Sequence, residues 1–199
     1  MAGGRKLEFD KQQALEAAMQ VFWQKGYLGA SLSDLTSSMG INKPSMYSTF
    51  GNKEKLFLQA TEHYIENHGK IHVACLSLPD TPLRERLKKF LSSVISAQFE
   101  SSNPKGCYVM LCMTEAASGD MPEQARDLIA EAAGLFPALL EELFQQDPEA
   151  ISLALDKNAK SNALTLATLL NGTAALARGD YCQADLQPVI DNTLNGIGL

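Results

Sequence analysis

Ser31 to Lys55 reads S-L-S-D-L-T-S-S-M-G-I-N-K-P-S-M-Y-S-T-F-G-N-K-E-K. Two short helices fit inside it. The first opens at Ser31, with Asp34 three residues on. This is a capping-box-like start, in which a Ser hydroxyl accepts from an unpaired amide of the first turn. Leu32, Leu35 and Met39 then recur at helical spacing. Gly40 ends the helix as a left-handed cap. After a tight turn at Ile41, Asn42 caps the second helix, and Pro44 lies in its first turn, where its missing amide donor is not needed. Met46 and Phe50 point inward, leaving Lys43, Ser45, Tyr47 and Ser48 on other faces.

Two helices joined by a few residues containing Gly form the helix-turn-helix pattern. In that motif the N-terminal end of the second helix enters the major groove of DNA. Here that end carries Asn42, Lys43 and Ser45, side chains able to hydrogen-bond base edges or phosphates. A helical hairpin from an ordinary bundle has the same spacing, which alone does not exclude it.

The residue types go further. F-W-Q-K-G-Y (Phe22–Tyr27), S-L-S-D-L (Ser31–Leu35) and M-G-I-N-K-P-S-M-Y-S-T-F-G-N-K-E-K-L-F (Met39–Phe57) resemble the DNA-binding domain of the TetR/AcrR family of bacterial repressors. The resemblance is strong from about Asp10 to Phe57 and weak beyond. It implies that Tyr47 and Lys53 grip phosphate and that Asn42, Lys43, Ser45 and Ser48 face the groove. Ser31, Ser33 and Pro44 complete the set expected at DNA. Thr36 and Met39 stand where many members carry Ala, and Pro44 where many carry Gly, which leaves the operator sequence open.

The remaining composition fits such a protein. A chain of 199 residues, 45% hydrophobic and with few strand-like runs, predicts an all-α globular fold. Residues 1–60 hold 7 Lys+Arg against 5 Asp+Glu; residues 61–199 hold 10 against 18. That split suits a DNA-facing head on an acidic body, and the overall acidity argues against unspecific binding to nucleic acid or an anionic membrane. No signal-like segment opens the chain and no apolar run reaches ~18–20 residues. A cytoplasmic protein without membrane contact is expected, with Cys75, Cys107, Cys112 and Cys182 reduced. No CxxC or Cys/His cluster points to zinc.

In chain order, Arg5 and Lys6 lie in a short polar arm that either follows a phosphate backbone or frays. Helix one is expected over about Asp10–Lys25, stopped by Gly26, with Leu15, Ala18, Met19 and Phe22 as its core stripe and Trp23 extending it. A fourth helix starts near Asn52. Lysines in its first turn oppose the helix dipole, which a phosphate lying there would explain. Leu56, Phe57, Ala60, Tyr64 and Ile71 are expected to continue inward. His63, His68 and His72 lack a third ligand at metal-binding spacing, so polar linker residues are the expectation. Further helices are expected over about Leu83–Phe99, Cys107–Ala117, Pro122–Gln146, Ala159–Arg178 and Ala184–Ile197. Pro137 is expected to kink or split the third of these.

No Gly-rich phosphate loop, G-x-S-x-G or H-E-x-x-H appears, so neither an enzyme nor a bound cofactor is expected. The family resemblance implies two domains, 1–55 for DNA binding and 56–199 for effector binding and dimerisation. It also implies a repressor that a small, largely apolar effector releases from a palindromic operator on double-stranded DNA. The expected pocket gathers Phe90, Val94, Cys107, Tyr108, Leu111, Phe136 and Leu140. The resemblance puts the last two long helices at a homodimer interface, and the stripe Ala163, Ala167, Leu170 and Ala174 with Leu186, Ile190 and Leu194 is expected there. Intramolecular core is the competing reading of that stripe. Gly106-Cys107 also resembles a pair common in the family, in one member of which the cysteine senses electrophiles. With Lys105 and a helix N-terminus beside it, Cys107 gives an alternative, thiol-based sensing repressor, set against simple packing.

Overall fold

The computed structural model describes residues 9–199; the arm carrying Arg5 and Lys6 lies outside them. Ten α-helices follow in order: α1 (Lys11–Gly29), α2 (Leu32–Ser38), α3 (Lys43–Phe50), α4 (Lys53–Tyr64), α5 (Leu83–Gln98), α6 (Tyr108–Ala116), α7 (Glu123–Gln146), α8 (Pro148–Ser152), α9 (Ala159–Leu176) and α10 (Gln187–Gly196). The described residues include no strand, and no helix among them is long and apolar enough to cross a membrane. The all-α expectation is met.

Helix termini follow local side-chain chemistry. The Asp10 carboxylate accepts from the Gln12 and Gln13 amides to start α1. Gly26 breaks that helix with φ +75°, a value only glycine adopts without strain, and a last turn runs to Gly29. In α2 the Ser31 hydroxyl accepts from the Asp34 amide, while the Asp34 carboxylate accepts from the Ser31 amide. Gly40, with φ +65°, closes α2 as the Ile41 amide donates to the Thr36 carbonyl, a Schellman arrangement. Asn42 and Asn52 cap α3 and α4 by accepting from Ser45 and Lys55 amides. An eight-residue helix such as α3 is not stable alone. Met46 and Phe50 anchor it, both essentially inaccessible, and burial of each is worth about 1.5–3 kcal/mol.

The apolar residues form two clusters. One joins Met19, Phe22 and Trp23 of α1, Leu35 of α2, Met46 and Phe50 of α3 and Leu56 and Phe57 of α4. It continues without interruption into Tyr108, Val109 and Cys112 of α6 and Ala125 and Ile129 of α7. The other holds Leu83, Leu87, Phe90, Leu91, Val94 and Ile95 of α5 with Leu140 and Phe144 of α7, most of the inner face of α9, and Ile190 and Leu194 of α10. Helix α7 therefore runs through both, and Pro137 inside it leaves it continuous over Glu123–Gln146.

After Tyr64 the chain leaves α-helical geometry without stopping its winding. Ile65–Gly69 is one π turn, and Lys70–Ser77 is wound as 3-10 helix. This change of pitch rotates the inward face. Ile71, expected inside, is 59% exposed, and His72 is buried in its place, its Nδ1 2.7 Å from the Ser93 hydroxyl.

Helices α9 and α10 each have an inner and an outer face. Ala163, Ala167, Leu170, Ala174, Leu186, Ile190 and Leu194 are all buried within the one protomer. The small residues of α9 allow close packing against the chain's own helices, and the stripe packs into the core of the protomer. Leu164, at 49% exposure, and Val189, at 39%, stand on the outer faces of the same two helices.

Candidate nucleic-acid interface

The helix-turn-helix presents one continuous outer surface. Asn42, Lys43, Pro44, Tyr47 and Ser48 are exposed along α3, and Ser31 and Ser33 are exposed at the start of α2. Ser45 is half-buried on the same helix. Tyr47 is 47% exposed, well above the level of a packed aromatic. Met46 and Phe50 hold the opposite face, so the α3 backbone is fixed while its outer side chains remain available.

Hydrogen bonding sorts these candidates. The Ser31 hydroxyl accepts from the Asp34 amide and donates to the Asp34 carboxylate 2.7 Å away. The Ser31 hydroxyl is thus engaged in the cap the sequence predicts, on a residue that remains exposed. The Asn42 side-chain oxygen is occupied by the Ser45 amide at 2.9 Å, leaving the amide NH2 as the outward donor. The Ser48 hydroxyl donates to the Ser45 carbonyl at 3.0 Å and retains acceptor capacity. Lys43 is exposed and makes no salt bridge among the described residues.

Electrostatics favour an anion at this end. Asp34 is neutralised by Lys25 at 2.7 Å, and that bond, followed by those from the Ser31 hydroxyl and amide, holds its carboxyl down at about 2. Lys53 lies over the Tyr27 ring, its ammonium 4.6 Å from the centroid. Burial lowers the Lys53 pKa, and the Glu115 carboxylate opposes that shift. Lys11 lies over the Phe50 ring at 5.6 Å. Sequence reasoning missed both cation–π pairs. The signal for one was present, because Lys53 sits where the dipole of α4 disfavours a cation. Lys11 carried none, since nothing in the sequence brings α1 to Phe50.

The expected pocket residues divide between the two clusters. Tyr108 is fully buried in the first, stacked on Tyr64 and Phe57 with ring centroids 4.9 and 6.0 Å away. Phe90, Val94 and Leu140 are in the second, and Phe136 packs edge-on against Phe90 at 5.2 Å. Cys107, Leu111 and Phe136 are half-buried. The structure therefore does not gather these seven residues around one space. Two surface grooves lie elsewhere, one lined by Glu141, Asp156 and Lys160 and the other by Gln20, Asn103 and Arg178.

The three histidines go to separate neighbours. His63 pairs with Glu16 at 2.7 Å, His68 stacks on Tyr64, and His72 meets Ser93. The Cys107 sulfur is 3.8 Å from the Tyr64 hydroxyl. Cys112 is buried, and desolvation pushes its thiol far above the ordinary range, which disfavours thiolate.

Comparison with known proteins places this geometry. The family model described as "Bacterial regulatory proteins, tetR family" matches residues 14–60. The HTH-type transcriptional repressor ComR of Escherichia coli (strain K12) is 32% identical over 59% of this chain and 57% of its own length. The uncharacterized HTH-type transcriptional regulator YezE of Bacillus subtilis (strain 168) is 35% identical over 62% of each. The chain thus spans less than two thirds of these two relatives. Among solved structures, a cysteine mutant of the TetR family transcriptional regulator CifR, complexed with 26-bp operator DNA, is 33% identical with a TM-score of 0.86. That match covers 96% of this chain and 98% of CifR. With the helix-turn-helix matched by the family model and the whole chain matched by CifR, this chain belongs to the TetR family.

Proposed function

We propose that the chain is a DNA-binding repressor that acts as a homodimer on a palindromic operator and is released by a small, largely apolar effector. The carrying observation is the surface of α3, where Asn42, Lys43, Ser45, Tyr47 and Ser48 present donors and one cation from a backbone anchored by Met46 and Phe50. CifR, matched over 98% of its chain, is seen with operator DNA, which supports this use of the helix. In this reading residues 1–55 form the DNA-binding head, with Lys53 and Tyr47 on phosphates, and residues 56–199 form the effector-binding and dimerising body. The shared core of α1, α4 and α6 makes the two parts mechanically continuous.

Dimerisation in this reading uses the outer faces of α9 and α10. Leu164, Thr168, Asn171 and Ala175 recur at helical spacing on exposed positions of α9, with Val189 and Gly196 on α10. A second copy covering them would join two heads, which a palindromic operator requires at the ~34–36 Å spacing of successive major grooves. An effector would bind among α5, α6 and α7 by opening a space that brings Cys107, Tyr108 and Leu111 together with Phe90, Val94, Phe136 and Leu140, which pack apart in this structure. Selection from a random duplex pool should enrich a palindrome, and failure to enrich one would defeat the proposal. A thermal-shift screen then identifies effectors, and any that binds should lower operator affinity, typically about 5- to 150-fold.

One observation favours a second reading, in which Cys107 is a thiol sensor. Its sulfur stands between α4 and the start of α6, beside the Tyr64 hydroxyl. An adduct there would press on the helix that carries Lys53. Release of operator by an electrophile in wild type but not in Cys107→Ser would favour this reading over the ligand.

A further inference from the structure

The break in α1 is held by a carboxylate from the body. Glu115, one residue from the end of α6, places Oε2 2.6 Å from the Tyr27 amide nitrogen and 3.4 Å from that of Leu28. Both amides lose regular helical partners where Gly26 interrupts α1. A Cβ at residue 26 would run into the Glu115 carboxylate. Glycine therefore serves twice here, for the positive φ and for the approach of the acid.

The residue whose backbone is gripped is also the platform for Lys53. The Tyr27 ring packs on Phe22 and Phe57, at 6.4 and 4.9 Å between centroids, and the Lys53 ammonium lies above it. A lysine in the first turn of a helix is opposed by the dipole. The π face of Tyr27 and the negative charge of Glu115 compensate that opposition at one place. Glu115 itself is outside the helix-turn-helix, and its side-chain hydrogen bonds go to the Tyr27 and Leu28 amides.

We propose that Glu115 is a positioning residue for DNA binding: by fixing the Tyr27 backbone it sets the aromatic platform that aims the Lys53 ammonium, tying the body helix α6 to the phosphate grip of the head. The proposal rests on the reading of Lys53 as a phosphate contact. A cap that served only to satisfy two amides would leave the grip of Lys53 unchanged.

A double-mutant cycle in the full chain distinguishes the two roles, read by titrating a duplex carrying the selected site at several salt concentrations. Lys53→Ala is expected to lower affinity and to reduce the salt slope by about one per head. Glu115→Gln keeps the shape of the side chain but removes its charge, and is expected to lower affinity severalfold when Lys53 is present. Added to Lys53→Ala, it is expected to have no further effect on affinity or slope. Losses that add in the double variant overturn the proposal while leaving the DNA-binding reading intact. A Lys53→Ala protein that binds like wild type overturns the Lys53 assignment, and the proposal with it. Tyr27→Leu supplies an independent arm if Glu115→Gln melts at low temperature, because it preserves the carboxylate–amide bonds and removes only the ring. It is expected to flatten the salt slope as Lys53→Ala does, and an unchanged slope overturns the proposal.

Discussion

The side-chain oxygens of Thr61 and Tyr108 lie 2.8 Å apart, and both residues are fully buried. Helix α4, which begins with Lys53, is thereby hydrogen-bonded to the first residue of α6. Burial raises the Tyr108 pKa well above its ordinary range, so this hydroxyl keeps its proton and the pair stays neutral.

Tyr108→Phe should leave the Thr61 hydroxyl buried without its partner and destabilise the protein by about 1–3 kcal/mol. Adding Thr61→Val removes the second polar atom and should recover much of that loss. Chemical denaturation of the two single variants and the double variant measures the coupling, and strictly additive losses would contradict the pairing.

Ser45→Ala and Lys43→Ala should separate sequence reading from phosphate grip on α3. The first should alter preference among duplexes while leaving the salt slope near that of wild type. The second should weaken binding to all duplexes if Lys43 meets phosphate, or change preference at one base pair by about 1–3 kcal/mol if it meets a base edge. Either variant should melt close to wild type, since Lys43 is exposed and Ser45 only half-buried.

Leu164→Glu and Leu170→Glu should give different defects. Leu164 is exposed on the outer face of α9, so a charge there should leave a folded monomer that binds the operator weakly. Leu170 is buried in the protomer, and a charge there should unfold the chain. Light scattering and circular dichroism distinguish these outcomes; a Leu164→Glu dimer would exclude this face of α9 from the interface.

Asp34 makes stability depend on acid. Its carboxyl falls from 3.8 to about 2 in the fold, through Lys25 first and then Ser31. A depressed carboxyl stabilises the fold fully above its unfolded pKa, and that contribution is lost as pH falls through the folded value. The stability gap between wild type and Asp34→Asn should therefore be present at neutral pH, narrow below 3.8 and vanish below about 2. A gap independent of pH in denaturation curves would contradict the role of Lys25 and Ser31.

The helix-turn-helix was legible because its signals are local. Ser31 with Asp34, Gly40, and Asn42 with Pro44 each act within a few residues, and the structure uses each as a terminus. Long-range facts were not written that way. Helix α9 carries apolar residues on more than one face, and periodicity does not say whether Ala163 and Leu170 meet the same chain or another. Inward phase failed at Ile71 because one π turn and a 3-10 stretch shift the register by an amount no hydrophobic pattern encodes. The tie between Glu115 and Tyr27 spans 88 residues. Its one local sign was the glycine at 26, which marks a break without naming what fills it.

The anchoring of α3 by Met46 and Phe50 also bears on how such proteins diversify. The buried anchors and the exposed side chains are different residues of one eight-residue helix. Substitutions at Lys43, Pro44, Tyr47 and Ser48 fall on exposed positions, where most changes shift stability by no more than about 0.5 kcal/mol. Under the DNA-facing assignment, a duplicated gene can drift to a new operator through these positions while its fold stays under the same selection. Loss of the old site and gain of a new one then need not pass through an unfolded intermediate genotype.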